Sequence, residues 1–286
     1  MRLNRQERKD IAKDLLRIAN KGIFFALLAF FAVQNVGRSM VISSGEWVVY
    51  HPRTMKDQGS MAAIFEQQWL HALALIVMLP TLWLISVNCV CFHRGELWGI
   101  STWNWFWIAV EIPIAHQVFV WFCWRTELHR GLINRVFGRH GFAIYAAFFT
   151  VFLVGRLFVI SALSIASRET LLANHVLLKS LAVVVSVPVA YLMYSVARYF
   201  GILRAYGADH FDESYRSKPL EHRGIYRFTS NGMYTFGLMV LYIPALWYAS
   251  RPALVAAVFG HLYIWVHYFT TEAPDMRRIY GISSTA

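Results

Sequence analysis

Charge and cysteine are both scarce in this chain. Only 15% of its 286 residues are charged, and its three cysteines all lie in apolar stretches. Cys89 and Cys91 are two apart, so on a helix they would point away from each other, and neither a disulfide framework nor a structural zinc site is implied. Zinc-finger spacings, RNA-recognition motifs and internal repeats are missing as well. The formal charge of +11 therefore does not read as nucleic-acid binding, and a symmetric transporter finds no support. In an apolar chain such positive charge marks cytoplasmic loops and contact with anionic headgroups instead. Asp209, His210 and Asp212 stand close together, but no second cluster matches them, and no metal is expected.

What the chain does have is apolar length. Hydrophobic residues make up 57% and the mean hydropathy is +0.44. Several runs reach the roughly 20 residues needed to cross a bilayer core, and 11 Trp and 14 Tyr suit interfacial belts. The expected fold is an all-α polytopic bundle of about six or seven transmembrane helices. Candidate spans are 22–42, 69–92, 103–124, 141–165, 172–198, 234–249 and 252–270. Residues 1–21 interleave Arg2, Arg5, Arg8, Lys9, Lys13, Arg17 and Lys21 with Leu3, Ile11, Leu15, Leu16 and Ile18. They read as a basic amphipathic segment on the membrane surface rather than a cleaved secretory signal. The organisation expected is this segment, an accessory transmembrane region over 22–170, and a functional core over 171–286.

Within the spans, Glu111, His116, Arg156 and Lys179 are costly residues. An interhelical pair between Glu111 and Arg156 or snorkelling of Lys179 explains them structurally. A polar headgroup site explains Glu111 and Arg156 functionally. With seven crossings the basic residues favour a cytoplasmic C-terminus, which would leave the basic N-terminus outside unless one segment is re-entrant.

The densest chemistry lies in the last third. The spans 234–249 and 252–270 are short and separated only at Ser250-Arg251, so they should form a tight antiparallel hairpin. Two polar, aromatic-rich brackets flank it: His222 to Tyr234 before, Thr271 to Gly281 after. In the first, His222 and Tyr226 are four apart, as are Arg227 and Asn231, so a helical turn would stack each pair. Asn231-Gly232 is a natural break ahead of the hairpin. His261 and His267, six apart, diverge on a helix and do not suggest a shared metal. Upstream, the stretch from Tyr199 to Asp212 offers Gly201 and Gly207, where backbone can approach a ligand, beside Asp209 and His210. Together these fit a small polar ligand gripped at the base of a hairpin that faces lipid.

The brackets resemble those of the membrane-embedded methyltransferases that include phosphatidylethanolamine N-methyltransferase and isoprenylcysteine carboxyl methyltransferase. Gly224, Tyr226, Arg227, Asn231, Met233, Tyr234 and Gly237 match the family pattern G-x-Y-R-x-x-x-[NH]-P-M-Y-x-G. Glu272, Pro274 and Tyr280 match E-E-P-x-x-x-x-x-Y, and Gly201, Asp209 and Phe211 match the upstream glycine-containing stretch. Gly232 replaces the motif proline, Ala273 the second glutamate and Arg204 a glycine. The resemblance covers about residues 195 to 281.

It implies S-adenosylmethionine as methyl donor, bound on the cytoplasmic side by Gly201, Gly207, His222, Tyr226, Arg227, Asn231, Tyr234 and Glu272. The acceptor would be a membrane lipid, with N-methylation of a phosphatidylethanolamine-type headgroup favoured and Asp209 and His210 as the groups that take its proton. Carboxyl methylation of a prenylcysteine-type substrate is the alternative within the family, disfavoured by the short stretch after Gly281. A non-catalytic membrane binding or transport protein is the alternative outside it, and Gly232 and Ala273 are the residues that would favour it.

Overall fold

The computed structural model describes residues 61–280, so the basic segment 1–21 and the expected span 22–42 lie outside it. Its longer helices are α1 (Gln68–Asn88), α2 (Thr102–Arg130), α3 (Gly141–Ala166), α4 (His175–Ser195), α5 (Tyr242–Trp247), α6 (Arg251–His267) and α7 (Ala273–Tyr280). Two-residue strands, β1 (Glu96–Leu97) and β2 (Ile100–Ser101), form an antiparallel turn ahead of α2. Among the described residues, five helical segments are long and apolar enough to cross a membrane. The chain is an integral membrane protein with an all-α architecture.

The expected spans that fall within the described residues recur with ends shifted by a few residues, except that 234–249 is not one regular helix. It breaks into an α turn at Gly232–Phe236, a 3₁₀ stretch at Gly237–Leu241 and α5. Pro244 has no N–H to give the carbonyl of Val240, which removes an α-helical bond where the segment changes form. Cys89 and Cys91 also differ from expectation: they are joined in a disulfide. The reason is that α1 stops at Asn88 and Cys89 is extended, so the helical geometry that would separate them is absent.

The core lies between α2, α3 and α6. Trp105, Phe106 and Val110 of α2 meet Val159, Ile160 and Leu163 of α3. They also meet Ala253, Ala256, Ala257 and Tyr263 of α6. Lipid tails are as apolar as leucine, so helices associate here through close contact of small residues rather than through expulsion of water. The Ala253-Ala256-Ala257-Gly260 face of α6 supplies that contact. Outward faces carry exposed apolar residues, including Trp69, Ile76 and Val77 on α1 and Val183, Val184 and Val187 on α4, as a lipid environment requires.

The hairpin turns at Ser250. Its hydroxyl accepts from the backbone of Ala253, capping α6, and bonds Ser167 Oγ at 2.7 Å. The chain beyond α3 clamps the same turn through Glu169 N to Tyr248 O and Leu171 N to Ala249 O, at 2.9 and 2.7 Å. That fixes the tip of the hairpin at one end of the bundle. The polar brackets gather at the other.

Candidate functional site

Two π-helical turns shape the bracketed end. One, Val196–Phe200, prolongs α4 up to Gly201; the other, Tyr268–Glu272, prolongs α6 into α7. Such turns concentrate at functional sites because they re-aim side chains that an unbroken α-helix would place elsewhere. The second turn delivers Glu272 and, one turn on, Asp275.

Gly207 then brings the 199–212 segment onto α2. Its φ of +82° is left-handed, and a Cβ at this position would collide with the Trp124 ring, so only glycine fits. The short 3₁₀ turn that comes next, Ala208–His210, buries Asp209 and His210 against that indole. His210 stacks on Trp124 with ring centroids 4.1 Å apart. Its Nδ1 lies 3.1 Å from Oδ1 of Asp209, and its Nε2 stands 3.5 Å from Oδ2 of Asp275. Tyr280 of α7 donates its hydroxyl to Asp209 at 3.0 Å and accepts from Arg204 at 2.9 Å. Arg125, completely buried at the end of α2, donates to Asp275 at 2.9 Å and to the carbonyls of Ala63, Thr270 and Thr271.

Charge in this cluster is set by burial against pairing. Burial disfavours the imidazolium of His210, but the hydrogen bonds and negative charge of Asp209 and Asp275 outweigh it and raise its pKa to about 9. For Asp209, burial pushes the carboxyl up, yet the hydrogen bonds from His210 and Tyr280 and the charges of His210 and Arg204 hold it below its ordinary value. At neutral pH this is an ion pair, with the imidazole protonated.

Glu272, partly buried beside Asp209, His210 and Asp275, makes no side-chain hydrogen bond or ion pair among the described residues. Tyr226 is buried and stacked on Phe200, with centroids 5.0 Å apart, and its hydroxyl has no hydrogen-bond partner among the described residues. Glu272 and Arg204 are among the charges that act on this phenol. Tyr226 is held in place by its neighbour Ile225, whose N–H donates to Ser195 Oγ of α4 at 3.0 Å. The Tyr226 hydroxyl and the Glu272 carboxyl, with Trp124 Nε1 and Asp275 Oδ1, which also lack hydrogen-bond partners among the described residues, mark where a polar ligand can bind.

The other residues singled out in the sequence are distributed unevenly. Tyr234 is buried but packs on Trp265 and Tyr268. Asn231 is partly buried, and its backbone carbonyl starts the Gly232–Phe236 turn. Gly201 has a φ of +94° and open space where a Cβ would be. His222 and Arg227 are exposed and are not brought to the cluster. The bracket runs as an extended link and a 3₁₀ turn, Gly224–Arg227, so the helical stacking with Tyr226 and Asn231 does not occur. Glu111 is exposed on α2 while Arg156 is buried in α3, and no pair joins them. Lys179 lies over the Trp247 ring.

Sequence reasoning passed over Trp124, Arg125 and Asp275. Asp275 sits inside the second bracket and its signal was present. Arg125, at the end of an apolar run, reads as an interfacial cation, and only the fold shows it buried. Arg204, which departs from the family glycine, is the cation that holds Tyr280. Among the described residues no group of three or more His, Cys, Asp or Glu has the geometry to hold a metal ion.

Residues 177–283 match the family model described as phospholipid methyltransferase. A Malassezia globosa protein described as phosphatidylethanolamine N-methyltransferase is 37% identical over 92 residues. The match covers 31% of this chain and 9% of that protein, so the chain corresponds to a small part of its relative's length. No solved structure matches. The stretch similar to that family, residues 177–283, thus includes both brackets and the Asp209–His210 turn.

Proposed function

We propose that this protein transfers a methyl group from S-adenosylmethionine to the amine of a phosphatidylethanolamine-type lipid, on the cytoplasmic side of the membrane. The observation that carries the reading is the buried Tyr226 hydroxyl, without a hydrogen-bond partner among the described residues, near the Glu272 carboxyl inside the family-matching region. The donor carries a sulfonium, an ammonium and ribose hydroxyls. These complement a site rich in oxygen acceptors, and Arg204, whose charge acts on Tyr226, is the cation available to the donor's carboxylate, so the residues fit it. Glu272, Tyr226 and Asn231 would hold these groups, with the open backbone at Gly201 and the Gly207 turn lining the approach. When bound, the donor supplies an electrophilic methyl group.

The chain's own residues supply the rest. A lipid ammonium with a pKa near 10 must lose a proton before its nitrogen can attack. Asp209 and His210 are the acceptors proposed, and the oxygen atoms of Asp209, Glu272 and Asp275 would receive the ammonium. His210 can accept a proton only in the fraction not already protonated, and with a pKa of about 9 that fraction grows as pH rises. The indole of Trp124 stacks on the buried His210 and shields it from solvent.

Equilibrium dialysis with labelled S-adenosylmethionine, on protein in native-like lipid, tests the reading. Saturable binding is expected, and Glu272→Ala should abolish it. Lipid mass spectrometry after incubation should then show mono-, di- or trimethylated phosphatidylethanolamine. Absence of donor binding would overturn the enzyme reading.

A further inference from the structure

Beyond the acidic cluster the bundle holds a second polar group that the methyl-transfer chemistry leaves unused. His116 of α2, Arg156 of α3 and His267 of α6 are all more than nine-tenths buried, at 2%, 7% and 1% exposure. Among the described residues, both ring nitrogens of each histidine, and Nε and Nη2 of Arg156, are without a hydrogen-bond partner. Among the described residues, the titratable groups acting on His116 are Arg156 and His267, those acting on His267 are His71, His210, Arg125 and Arg156, and the one acting on Arg156 is Tyr263, with no carboxylate in any of the three sets. An arginine in the membrane interior with no counter-charge is costly, and such residues mark ligand sites. The group is also firmly built. His116 stacks on Phe152 and meets Phe149 edge-on, and Gly260 on α6 makes room for the guanidinium, where a Cβ would stand 3.4 Å from Nη2.

The basic group adjoins the acidic one. His267 lies against Trp124, whose ring also stacks on His210. The bundle thus runs from unpaired donors at Arg156, through His267, to the carboxylates Asp209, Glu272 and Asp275. A ligand with an anion and a cation joined by a short arm matches that order. We infer that Arg156, with His116 and His267, is a phosphate-binding site for the phosphodiester of a membrane lipid, whose amine then faces the acidic cluster. Guanidinium and imidazole N–H groups suit phosphate oxygens, with arginine able to give two parallel bonds. Two of the three residues, His116 and Arg156, lie outside the family-matching stretch, so this site is supplied by the accessory helices. The inference rests on the proposed function only for the direction of the amine.

The test measures lipids retained by the full chain after purification in mild detergent, using native mass spectrometry. The probes are phosphatidylethanolamine, phosphatidylglycerol, diacylglycerol and inorganic phosphate. Both phospholipids should be retained in preference to diacylglycerol, because phosphatidylglycerol has the phosphate without the amine. Arg156→Gln should weaken retention of both by about tenfold, as expected for a lost charge-assisted hydrogen bond, while Arg156→Lys restores part of it. Labelled S-adenosylmethionine binding should be unchanged in both variants, which also reports that they fold. Equal retention of diacylglycerol, or an Arg156→Gln variant that retains phospholipid normally, would overturn the site. Displacement of lipid by millimolar inorganic phosphate would assign it to a free anion and overturn the lipid reading. Phospholipid retention without any donor binding would sink the methyltransferase proposal and leave this site standing.

Discussion

At the scale of single residues, the site is a contest between burial and pairing. His210 keeps its proton because Asp209 and Asp275 flank it, and its pKa rises from 6.5 to about 9. A raised folded pKa stabilises the fold fully below the unfolded value and loses that contribution as pH climbs through about 9. The melting temperature in lipid nanodiscs should therefore fall between pH 6.5 and 9.5, and His210→Gln should flatten this change. Methylation should move the opposite way, rising over the same range as neutral imidazole appears. A rate independent of pH through this window would remove His210 as the proton acceptor. The glycines, aspartate and histidine of this turn were legible in the sequence, because their chemistry is local. Arg125 and Trp124 were not, since burial at the end of α2 depends on α7 and on the 199–212 segment packing over them.

The elements show the same division. Among the described residues, apolar runs located the spans to within a few residues, because hydropathy and bilayer thickness set them directly. The broken course of 232–247 and the two π turns escaped, as they arise from backbone hydrogen bonding that composition does not encode. The hairpin turn, by contrast, was legible as the break at Ser250-Arg251, to which the structure adds that Ser250 caps α6 and Pro252 lies in its first turn. Ser250 is fully buried and bonds both Ala253 N and Ser167 Oγ. Ser250→Ala should therefore cost about 1–2 kcal/mol, the usual loss for a cap. Denaturation in a mixed detergent series would measure it. Donor binding should persist, because the turn lies at the opposite end of the bundle from Glu272. A variant that keeps full stability would place the cap outside the forces holding the hairpin.

For the molecule as a whole, the expected division into 22–170 and 171–286 is not a division of the site. Trp124 and Arg125 come from α2, whereas Asp209, His210, Glu272 and Asp275 come from the later region. A fragment comprising residues 171–286 should fail to bind the donor, because Asp275 would lose its buried guanidinium, and breaking such a pair costs about 3–5 kcal/mol. Co-expression with residues 1–170 should restore binding. A fragment that binds on its own would show that the earlier helices are dispensable for the donor pocket.

The π turn at Tyr268–Glu272 also makes the site a matter of chain length. A π turn takes in about one residue more than an α turn, and each residue added to a helix rotates the remainder by about 100°. Losing one position between His267 and Pro274 would leave every motif letter intact yet swing Asp275 and Tyr280 away from Arg125 and Asp209. Proteins that share these letters but differ by one residue in that interval should not be expected to share the pocket. An alignment gap there carries more functional information than a substitution at most positions around it.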